Sequence, residues 1–368
     1  MAQIAVLGGG AGGHAVAADC ALAGHAVTLL ELPQFAAALE PVRASRTIQV
    51  LGRGPEPLHA KIESITTDFA QAIPKADLIF IVCPCFGHGP MSEGCAPHLQ
   101  DGQAVVFFGE GSGALVLREV LWDRGARRDV LIGESNSLPY SARLRGPGRV
   151  LGARKAGGTL LAALPGRRTA ELLGRLRELW PYVTPATNVL ETILINFNAI
   201  DHVATMVCNA GWLETRSTLC LLWGEGASPS VARVIEAVDN EILAIRAALG
   251  FPDRTPYRDF LAKQGLLEAP QPTTHQAIQR SALSASTFQC GPEALKFRYI
   301  TEDVPYALVL IADLGDVAGV ATPVIDGLIA LSCALNGEDY RKAGRTLAKL
   351  GLGGLTRDAL LRAVNEGA

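Results

Sequence analysis

The chain of 368 residues lacks several features that would place it in a specialised class of protein. It has no excess of charge of one sign, because 33 basic and 36 acidic residues give a formal net charge of −3. A chain without a basic surplus is not expected to bind nucleic acid or an anionic membrane surface. Its longest apolar runs, such as LIFIVC and YALVLIA, fall far short of the roughly 20 residues that span a bilayer. The composition therefore indicates an ordinary soluble protein.

The sequence also lacks a C-x-x-C pair, and its eight cysteines are scattered. Scatter in a chain of this length favours reduced thiols over a disulfide framework. The start MAQIAVLGGG enters a strand and a glycine turn without a secretory leader, so we expect a cytoplasmic protein. Cys83, Cys85, His88 and Cys95 lie near one another in the chain, but we interpret them as core and loop residues and predict no metal site.

The length suits two domains. In the first half, apolar runs that are typical of buried parallel strands alternate with helical stretches at 33–44, 68–75, 88–98 and 113–123. The runs are QIAVL (3–7), AVTLLE (26–31), DLIFIVC (77–83), QAVVFF (103–108) and DVLIGE (129–134). This alternation predicts an α/β fold, a Rossmann-type doubly wound parallel sheet over residues 1–185. Long helical periodicity, as in SPSVARVIEAVDNEILAIRAALG, predicts an all-helical C-terminal domain over residues 186–368.

A glycine turn separates the first predicted strand from the first predicted helix. Gly8, Gly10 and Gly13 form the pattern G-x-G-x-x-G there, which in this context is typical of dinucleotide-binding domains. Gly8 permits the tight turn, Gly10 the close approach of a pyrophosphate, and Gly13 the packing of helix on strand. The phosphates would meet unpaired N–H groups at the helix N-terminus. We interpret His14, just past the turn, as a helix-surface residue.

The end of the second predicted strand indicates which dinucleotide is bound. Glu31 stands there, and the next basic residue after it is Arg43. A carboxylate at this point accepts hydrogen bonds from both ribose hydroxyls and repels a 2′-phosphate. The sequence therefore favours NAD over NADP.

The segment ILINFNAIDHVATMVCNAG (193–211) predicts an apolar helix with one polar stripe. Asn198, His202, Thr205 and Asn209 follow at steps of four, three and four, so they project within an arc of about 60°. Because buried polar groups are costly without partners, the stripe either faces water or lines a site. A nicotinamide enzyme needs a proton donor, and His202 is a candidate, with the other three as substrate ligands. The alternative is a histidine with a purely structural role.

Further stretches carry a resemblance to a known family. They are IGESNSLPYSARLRGPG, NFNAIDH, FRYITEDVPYALV, ATPVIDGLI and RKAGRTLAKLGLGGLT, and the asparagine–histidine helix followed later by R-Y-x-x-E-D-V is the most specific feature. With these segments the chain resembles the octopine/opine dehydrogenase family from end to end, especially the bacterial N-(1-carboxyethyl)-norvaline dehydrogenase type.

The resemblance implies roles that the residues alone do not assign. It implies that His202 is the catalytic acid/base, that Asp303 is its carboxylate partner, and that Arg298 binds the carboxylate of a 2-oxo acid. The sequence by itself does not choose Asp303 over Asp201, Asp239 or Asp313, and the alternative for Arg298 is a surface or interdomain salt bridge. The implied reaction is the NADH-dependent condensation of a 2-oxo acid, commonly pyruvate, with the amino group of an amino acid.

Two other functions stay open at this point. An NAD-dependent 2-hydroxy acid or 3-hydroxyacyl dehydrogenase would share the layout and need no amine. A regulator that binds NADH without turnover would not need His202. In each case the partners are small molecules, and a homodimer is the assembly we consider.

Overall fold

The computed structural model describes residues 1–109, 111–125, 128–155 and 157–367. The chain divides into two compact units. The first consists mainly of Met1–Lys155 and Thr159–Thr192, and the second of Ile193–Ala363. The sequence-based boundary between residues 185 and 186 stays a prediction.

The first unit combines strands with short helices. Its strands are β1 (Gln3–Leu7), β2 (Ala26–Leu30), β3 (Thr47–Leu51), β4 (Leu58–Lys61), β5 (Ser64–Thr66), β6 (Leu78–Ile81), β7 (Ala104–Phe108), β8 (Leu131–Ser135), β9 (Tyr140–Leu144), β10 (Arg149–Arg154), β11 (Leu160–Leu164) and β12 (Thr184–Pro185). Its α-helices are α1 (Ala11–Leu22), α2 (Glu40–Ser45), α3 (Phe69–Ala72), α4 (His88–Cys95), α5 (Gly113–Asp123), α6 (Thr169–Leu176) and, at its end, α7 (Val189–Leu194). A longer 3-10 helix lies at Pro33–Leu39, and single 3-10 turns lie at Ile73–Lys75, Cys85–Gly87, Ala96–His98 and Gly166–Arg168.

The large sheet has the strand order β12-β11-β8-β7-β6-β1-β2-β5. Six neighbouring strands of this sheet are parallel, namely β5, β2, β1, β6, β7 and β8, whereas β11 runs antiparallel to β8. Every residue of β6, β7 and β8 is buried, as expected for parallel strands covered on both faces. The order reverses between β1 and β6, which makes the turn after β1 the topological switch point where such sheets bind ligands. The predicted doubly wound sheet is confirmed.

A second sheet, of order β4-β3-β10-β9, covers the other side of α1 and was not predicted. Because α1 lies against both sheets, its residues from Gly13 to Cys20 are all buried. Most of them are small, which permits this close packing. His14 is only 1% exposed, so its interpretation as a surface residue was wrong. The helical pattern alone could not show that a second layer covers this helix.

One buried carboxylate ties α1 to the second sheet. Asp19 accepts hydrogen bonds at Oδ2 from the Tyr140 hydroxyl (2.6 Å) and from Arg154 Nε (2.8 Å), and its Oδ1 pairs with the Arg53 guanidinium. The Trp180 indole N–H donates to the Tyr140 hydroxyl at 2.6 Å. Cations and hydroxyl together satisfy this acid, as a buried charge requires.

The second unit is helical, as predicted. Its helices are α8 (Phe197–Cys208), α9 (Ala210–Thr215), α10 (Pro229–Ala248), α11 (Tyr257–Lys263), α12 (Thr274–Arg280), α13 (Arg298–Thr301), α14 (Val309–Ala318), α15 (Pro323–Asn336), α16 (Tyr340–Ala343) and α17 (Arg357–Glu366). Single turns are 3-10 at Ala282–Ala285, Ala294–Lys296 and Ala348–Leu350, and π-helical at Val304–Leu308. An antiparallel pair of short strands, β13 (Leu219–Leu221) and β14 (Thr287–Gln289), was not predicted by the helical periodicity. Among the described residues, no helix is long and apolar enough to cross a membrane.

Helix α8 carries the polar stripe and is shorter than predicted. It begins at Phe197 because the Asn196 side chain caps it, accepting from the Ala199 N–H at 3.1 Å, and it ends at Cys208. It packs against α10, α13 and α15. Within the stripe, His202 and Thr205 are buried and Asn198 and Asn209 are half-buried, so the two buried polar groups need partners.

Candidate active site

The glycine turn after β1 is shaped by contacts that exclude side chains at two positions. Gly8 has φ +131°, and a Cβ there would lie 2.1 Å from the Val82 carbonyl oxygen. A Cβ on Gly13 would lie 1.8 Å from the Gly8 carbonyl oxygen. A Cβ on Gly10, by contrast, would meet no atom within 4 Å in the described chain, and no side chain caps α1 at this residue. Open space next to uncapped N–H groups fits the phosphates of a dinucleotide.

Glu31 lies directly beside this turn. Its Oε2 accepts a hydrogen bond from the Gly9 N–H at 2.7 Å, and its Oε1 accepts one from the Leu32 N–H at 2.8 Å. Each carboxylate oxygen can accept more than one hydrogen bond, so both keep capacity for the ribose hydroxyls. The carboxylate is thus fixed in direction and fits the ribose of NAD.

In the second unit, the structure brings His202 and Asp303 together. His202 Nδ1 lies 2.7 Å from Asp303 Oδ2, and both residues are buried. The Tyr299 ring stacks on the imidazole, with centroids 3.7 Å apart and planes 28° from parallel. A bond to Nδ1 fixes the orientation of the ring and leaves Nε2 as the nitrogen for proton transfer. On that side the nearest recorded carboxylate oxygen is Asp201 Oδ1, at 3.9 Å.

Asp303 owes its position to a change of helix type. It directly precedes the π-helical turn, where Pro305 has no N–H to continue an α-helical ladder. Turns of this kind often occur at functional sites. Burial and the neighbouring Glu302 carboxylate raise the pKa of Asp303 well above its usual value, whereas Arg298 lowers it.

Arg298 begins α13, one residue before the tyrosine that stacks on His202. Its side chain is 51% exposed, and its Nε lies 3.0 Å from Glu302 Oε2. A half-exposed guanidinium next to the imidazole pair can present planar donors to a substrate carboxylate.

The other residues of the stripe make different contacts. The Thr205 hydroxyl is buried and donates to the Asp201 carbonyl at 2.6 Å. The Asn209 amide donates to the carbonyls of Thr205 (2.8 Å) and Gly226 (3.0 Å). Asn198 is half-buried, one turn before His202. Recorded bonds thus engage Thr205 and Asn209 with the backbone, and a substrate contact for any of the three stays a prediction.

Sequence reasoning gave no role to Tyr299, left Trp223 open between pocket lining and packing, and considered Asp201 a flanking partner at most. Tyr299 belongs to the R-Y-x-x-E-D-V segment but drew attention only through its neighbours. The Trp223 ring lies 5.7 Å from the imidazole, centroid to centroid, and is tilted 52° to it. Asp201 projects away from His202 on an ideal helix, yet its carboxylate reaches back towards Nε2. Helical spacing indicates the direction of Cβ and not where a longer side chain ends.

A glycine turn at the switch point of a doubly wound sheet, with a buried imidazole–carboxylate pair in a helical unit, defines the class of NAD-dependent dehydrogenases. Residues 3–119 match the family described as the N-terminus of NAD-dependent glycerol-3-phosphate dehydrogenase. Residues 185–336 match the alpha-helical domain of NAD/NADP octopine/nopaline dehydrogenase.

Whole-chain comparisons define the family. The chain is 34% identical over 361 residues to an opine dehydrogenase of Arthrobacter sp. (strain 1C), covering 98% of both chains. A structure of octopine dehydrogenase with NADH and agmatine superposes with a TM-score of 0.80 at 22% identity, and one with NADH and pyruvate with 0.76 at 23%, each covering 98% of both chains. The chain belongs to the opine dehydrogenase family. It is an oxidoreductase acting on CH–NH groups, and NAD is its cofactor.

Proposed function

We propose that this enzyme condenses pyruvate with the amino group of an amino acid and reduces the resulting imine with NADH, to give a secondary amine dicarboxylate. The observation that carries the proposal is the buried pair of His202 Nδ1 and Asp303 Oδ2 at 2.7 Å. Such a pair can deliver and take up a proton at Nε2. Membership of the opine dehydrogenase family supports an amine as one substrate, and an octopine dehydrogenase structure that contains pyruvate supports pyruvate as the other.

The cofactor assignment rests on the turn after β1. Gly8 and Gly13 give the turn its shape, Gly10 leaves space that a pyrophosphate would fill, and Glu31, held by the Gly9 N–H, would accept hydrogen bonds from the adenosine ribose. NADH, when bound, supplies the hydride. The protein's contribution is to bind the nucleotide and to select it against a 2′-phosphate, which the Glu31 carboxylate repels.

His202 carries out the proton chemistry in this proposal. In the reductive direction the imidazolium donates its Nε2 proton to the substrate carbonyl or imine, and Asp303 holds the ring so that Nε2 faces the substrate. In the oxidative direction the neutral imidazole takes the proton back. Tyr299, stacked on the ring, restricts its rotation.

We assign the pyruvate carboxylate to Arg298 because a guanidinium binds a planar carboxylate through two parallel hydrogen bonds. Arg298→Lys keeps the charge but loses this geometry. We expect the Michaelis constant for pyruvate to rise about tenfold or more, the cost of about one charge-assisted hydrogen bond, while NADH affinity is unchanged. Steady-state kinetics with each substrate varied in turn would measure this. Equal losses for pyruvate and NADH would contradict the assignment.

The proposed activity is tested by an NADH-oxidation screen of 2-oxo acids crossed with amino acids, with products identified by mass. We expect oxidation only when pyruvate and an amino acid are both present. Oxidation by a 2-oxo acid alone would instead identify a 2-hydroxy acid dehydrogenase. Binding of NADH without any turnover would contradict an enzymatic role for His202.

A further inference from the structure

Asp201 is a buried carboxylate that the proposed reaction does not use. The residue is 1% exposed. Its Oδ2 accepts a hydrogen bond from the Tyr257 hydroxyl at 2.8 Å, but in the described part of the chain its Oδ1 has no hydrogen-bond partner. That oxygen lies 3.9 Å from His202 Nε2. An incompletely partnered acid in a protein interior is costly, so its position next to the imidazole calls for an explanation.

The surroundings of Asp201 fix it in place. The Tyr257 ring stacks on Phe197, with centroids 4.8 Å apart, and the Tyr257 N–H donates to Asp239 Oδ2 at 2.8 Å. The Trp223 indole N–H lies close enough to Asp201 to lower its pKa, although the two do not meet with hydrogen-bond geometry. The Tyr257 hydroxyl therefore holds Oδ2 of the carboxylate, and Oδ1 is left on the side of His202.

We propose that Asp201 is a positioning residue that acts on the Nε2 side of His202 and extends the pH range over which the imidazole keeps its proton during reduction. This inference rests on the proposed role of His202 as the proton donor. His202 would then lie between two carboxylates, with Asp303 at Nδ1 and Asp201 facing Nε2. Asp303 sets the orientation of the ring, and Asp201 adds negative charge where the transferred proton resides.

The direction of the effect follows from electrostatics. An anionic group within about 4 to 6 Å favours the charged form of an imidazole. Burial raises the pKa of Asp201 to about 6, opposed by His202, the Tyr257 hydroxyl and the Trp223 indole. Above that pH the carboxylate is ionised and stabilises the imidazolium. Loss of the charge would lower the proton affinity of His202 about tenfold, which is about one pH unit.

Other charged and titratable groups around His202 differ from Asp201 in their contacts. Glu302 raises the pKa of Asp303 and Arg298 lowers it, so both act on the Nδ1 partner of the imidazole. Other charged or titratable groups on the elements that pack against α8 have different surroundings. Asp239 accepts a hydrogen bond from the Tyr257 N–H, and Asp326 pairs with Arg341. The Arg345 guanidinium lies over the Tyr306 ring, and Glu214 is exposed. Of the carboxylates recorded within ion-pair distance of the imidazole, Asp201 is the one that faces Nε2.

Asp201→Asn tests the proposal because it removes the charge and keeps the size of the side chain. We expect the alkaline fall of the reductive rate to move about one pH unit lower, while NADH affinity is unchanged. The titration midpoint of the His202 imidazole, followed by nitrogen NMR on histidine-labelled protein and assigned by its loss in His202→Asn, should move by the same amount. An unchanged midpoint would overturn the proposal.

Asp239→Asn is the matched control. Burial also raises the pKa of Asp239 to about 6, and its carboxylate binds the same tyrosine, but at the backbone N–H. We expect no shift of the rate profile or of the His202 midpoint. An equal shift in Asp201→Asn and Asp239→Asn would show a general effect of buried charge and would overturn the specific role of Asp201.

Tyr257→Phe provides a second test that keeps the carboxylate. Without the hydroxyl, Asp201 is ionised to a smaller extent near neutral pH, so the midpoint should move in the same direction but by less. If Asp201→Asn cannot be purified folded, an unchanged midpoint in Tyr257→Phe would overturn the proposal. The NMR titration does not need turnover. A wild-type enzyme without amine-dependent activity would thus contradict the proposed function and leave the test of Asp201 standing.

Discussion

The two units bury carboxylates in different ways. Asp19 in the sheet unit is 2% exposed and is bonded to a tyrosine hydroxyl and two guanidinium groups. Asp201 in the helical unit is 1% exposed and has a tyrosine hydroxyl on one oxygen and a histidine 3.9 Å from the other. Burial raises the pKa of Asp201 to about 6. Similar burial of the same type of side chain therefore produces a structural ion network in one unit and a titrating group in the other.

The difference shows how the chain separates stability from chemistry. A buried acid paired with arginines stays charged and links secondary structures. A buried acid without such a cation keeps an affinity for protons near neutral pH, which acid–base catalysis requires. The cost is stability. Because the pKa of Asp201 and that of Asp239 are each raised to about 6 from 3.8, both carboxyls destabilise the fold increasingly as the pH rises through the interval between these values.

The largest effect is expected at the imidazole of the helical unit. His202→Ala removes the proton donor, and general acid–base catalysis contributes about 10²–10⁴-fold, so turnover should fall by that order. NADH binding should be unchanged, since the glycine turn is intact. Steady-state turnover and a fluorescence titration with NADH would measure the two. Comparable losses in turnover and in NADH affinity would contradict the assignment of His202 to proton transfer alone.

Turnover measurements also test whether His202 and Asp303 act as a pair. Asp303→Asn should leave the fold intact but let the imidazole rotate or adopt the wrong tautomer, and the double variant should be little worse than His202→Ala, because the pair acts as one unit. The reductive rate of the wild type should fall as the pH rises and the imidazolium is lost, whereas the oxidative rate should fall as the pH decreases. Fully additive losses in the double variant would exclude the pair as a unit.

The ion network of the sheet unit should affect stability instead. Asp19→Asn leaves the guanidinium groups of Arg53 and Arg154 without their counter-charge. Breaking a buried pair in this way costs about 3 kcal/mol. The Arg154 side chain is 43% exposed, so water reduces its part of this cost. We expect the free energy of unfolding, measured in urea, to fall by up to about 3 kcal/mol. The turnover of the folded enzyme should stay near that of the wild type. Glu171→Gln, which breaks surface pairs with Arg168 and Arg175, is the control and should cost almost nothing. Equal losses would contradict the comparison.

The sequence allowed prediction of the parts of the fold that depend on local patterns. Apolar runs predicted the central strands, and helical periodicity predicted α10. This helix begins at Pro229, where the Ser228 hydroxyl accepts a hydrogen bond from the Val231 N–H. The second sheet was missed because β3, β4 and β9 are short and only partly buried. His14 was misplaced for the same reason, since burial of α1 on both sides depends on that sheet.

The active site was predictable only in part. Helical spacing found His202, but its partner Asp303 lies 101 residues away, and no local pattern distinguishes it from the other aspartates. The resemblance to a family supplied that choice. Asp201 was visible as a neighbour in the chain, yet its relation to Nε2 depends on the Tyr257 hydroxyl, which holds its carboxylate and comes from another helix.

Another prediction concerns the glycine turn of the sheet unit, to which we assign cofactor binding. Gly10→Ala adds a methyl group that meets no atom within 4 Å in the described chain, so the melting temperature should hold. The methyl group would intrude on the bound pyrophosphate, and overpacking of this kind costs about 1–3 kcal/mol, so NADH affinity should fall about tenfold or more. In Gly13→Ala the new Cβ would lie 1.8 Å from the Gly8 carbonyl oxygen, and stability itself should suffer. A stable Gly10→Ala with full NADH affinity would place the pyrophosphate elsewhere.

The smallest effect is expected at Glu31, the acid of the sheet unit that we assign to the cofactor. Replacement by serine removes the repulsion of a 2′-phosphate. Two charges about 4 Å apart interact by about 1 kcal/mol even in bulk water and by more at a buried carboxylate such as Glu31, so the preference for NADH over NADPH should narrow about fivefold or more. The preference of the wild type for NADH over NADPH should also become smaller at high salt, because salt screens a charge interaction and does not change a steric one. Asp77→Asn is the control, because its carboxylate also accepts a backbone hydrogen bond, from the Gln3 N–H at 2.8 Å, but stands next to the start of β6 and away from the turn. Its ratio of NADH to NADPH efficiency should equal that of the wild type. A wild-type enzyme that prefers NADPH, or a Glu31→Ser variant with an unchanged ratio, would remove Glu31 from cofactor selection and leave it with the structural role that its bonds to Gly9 and Leu32 already provide.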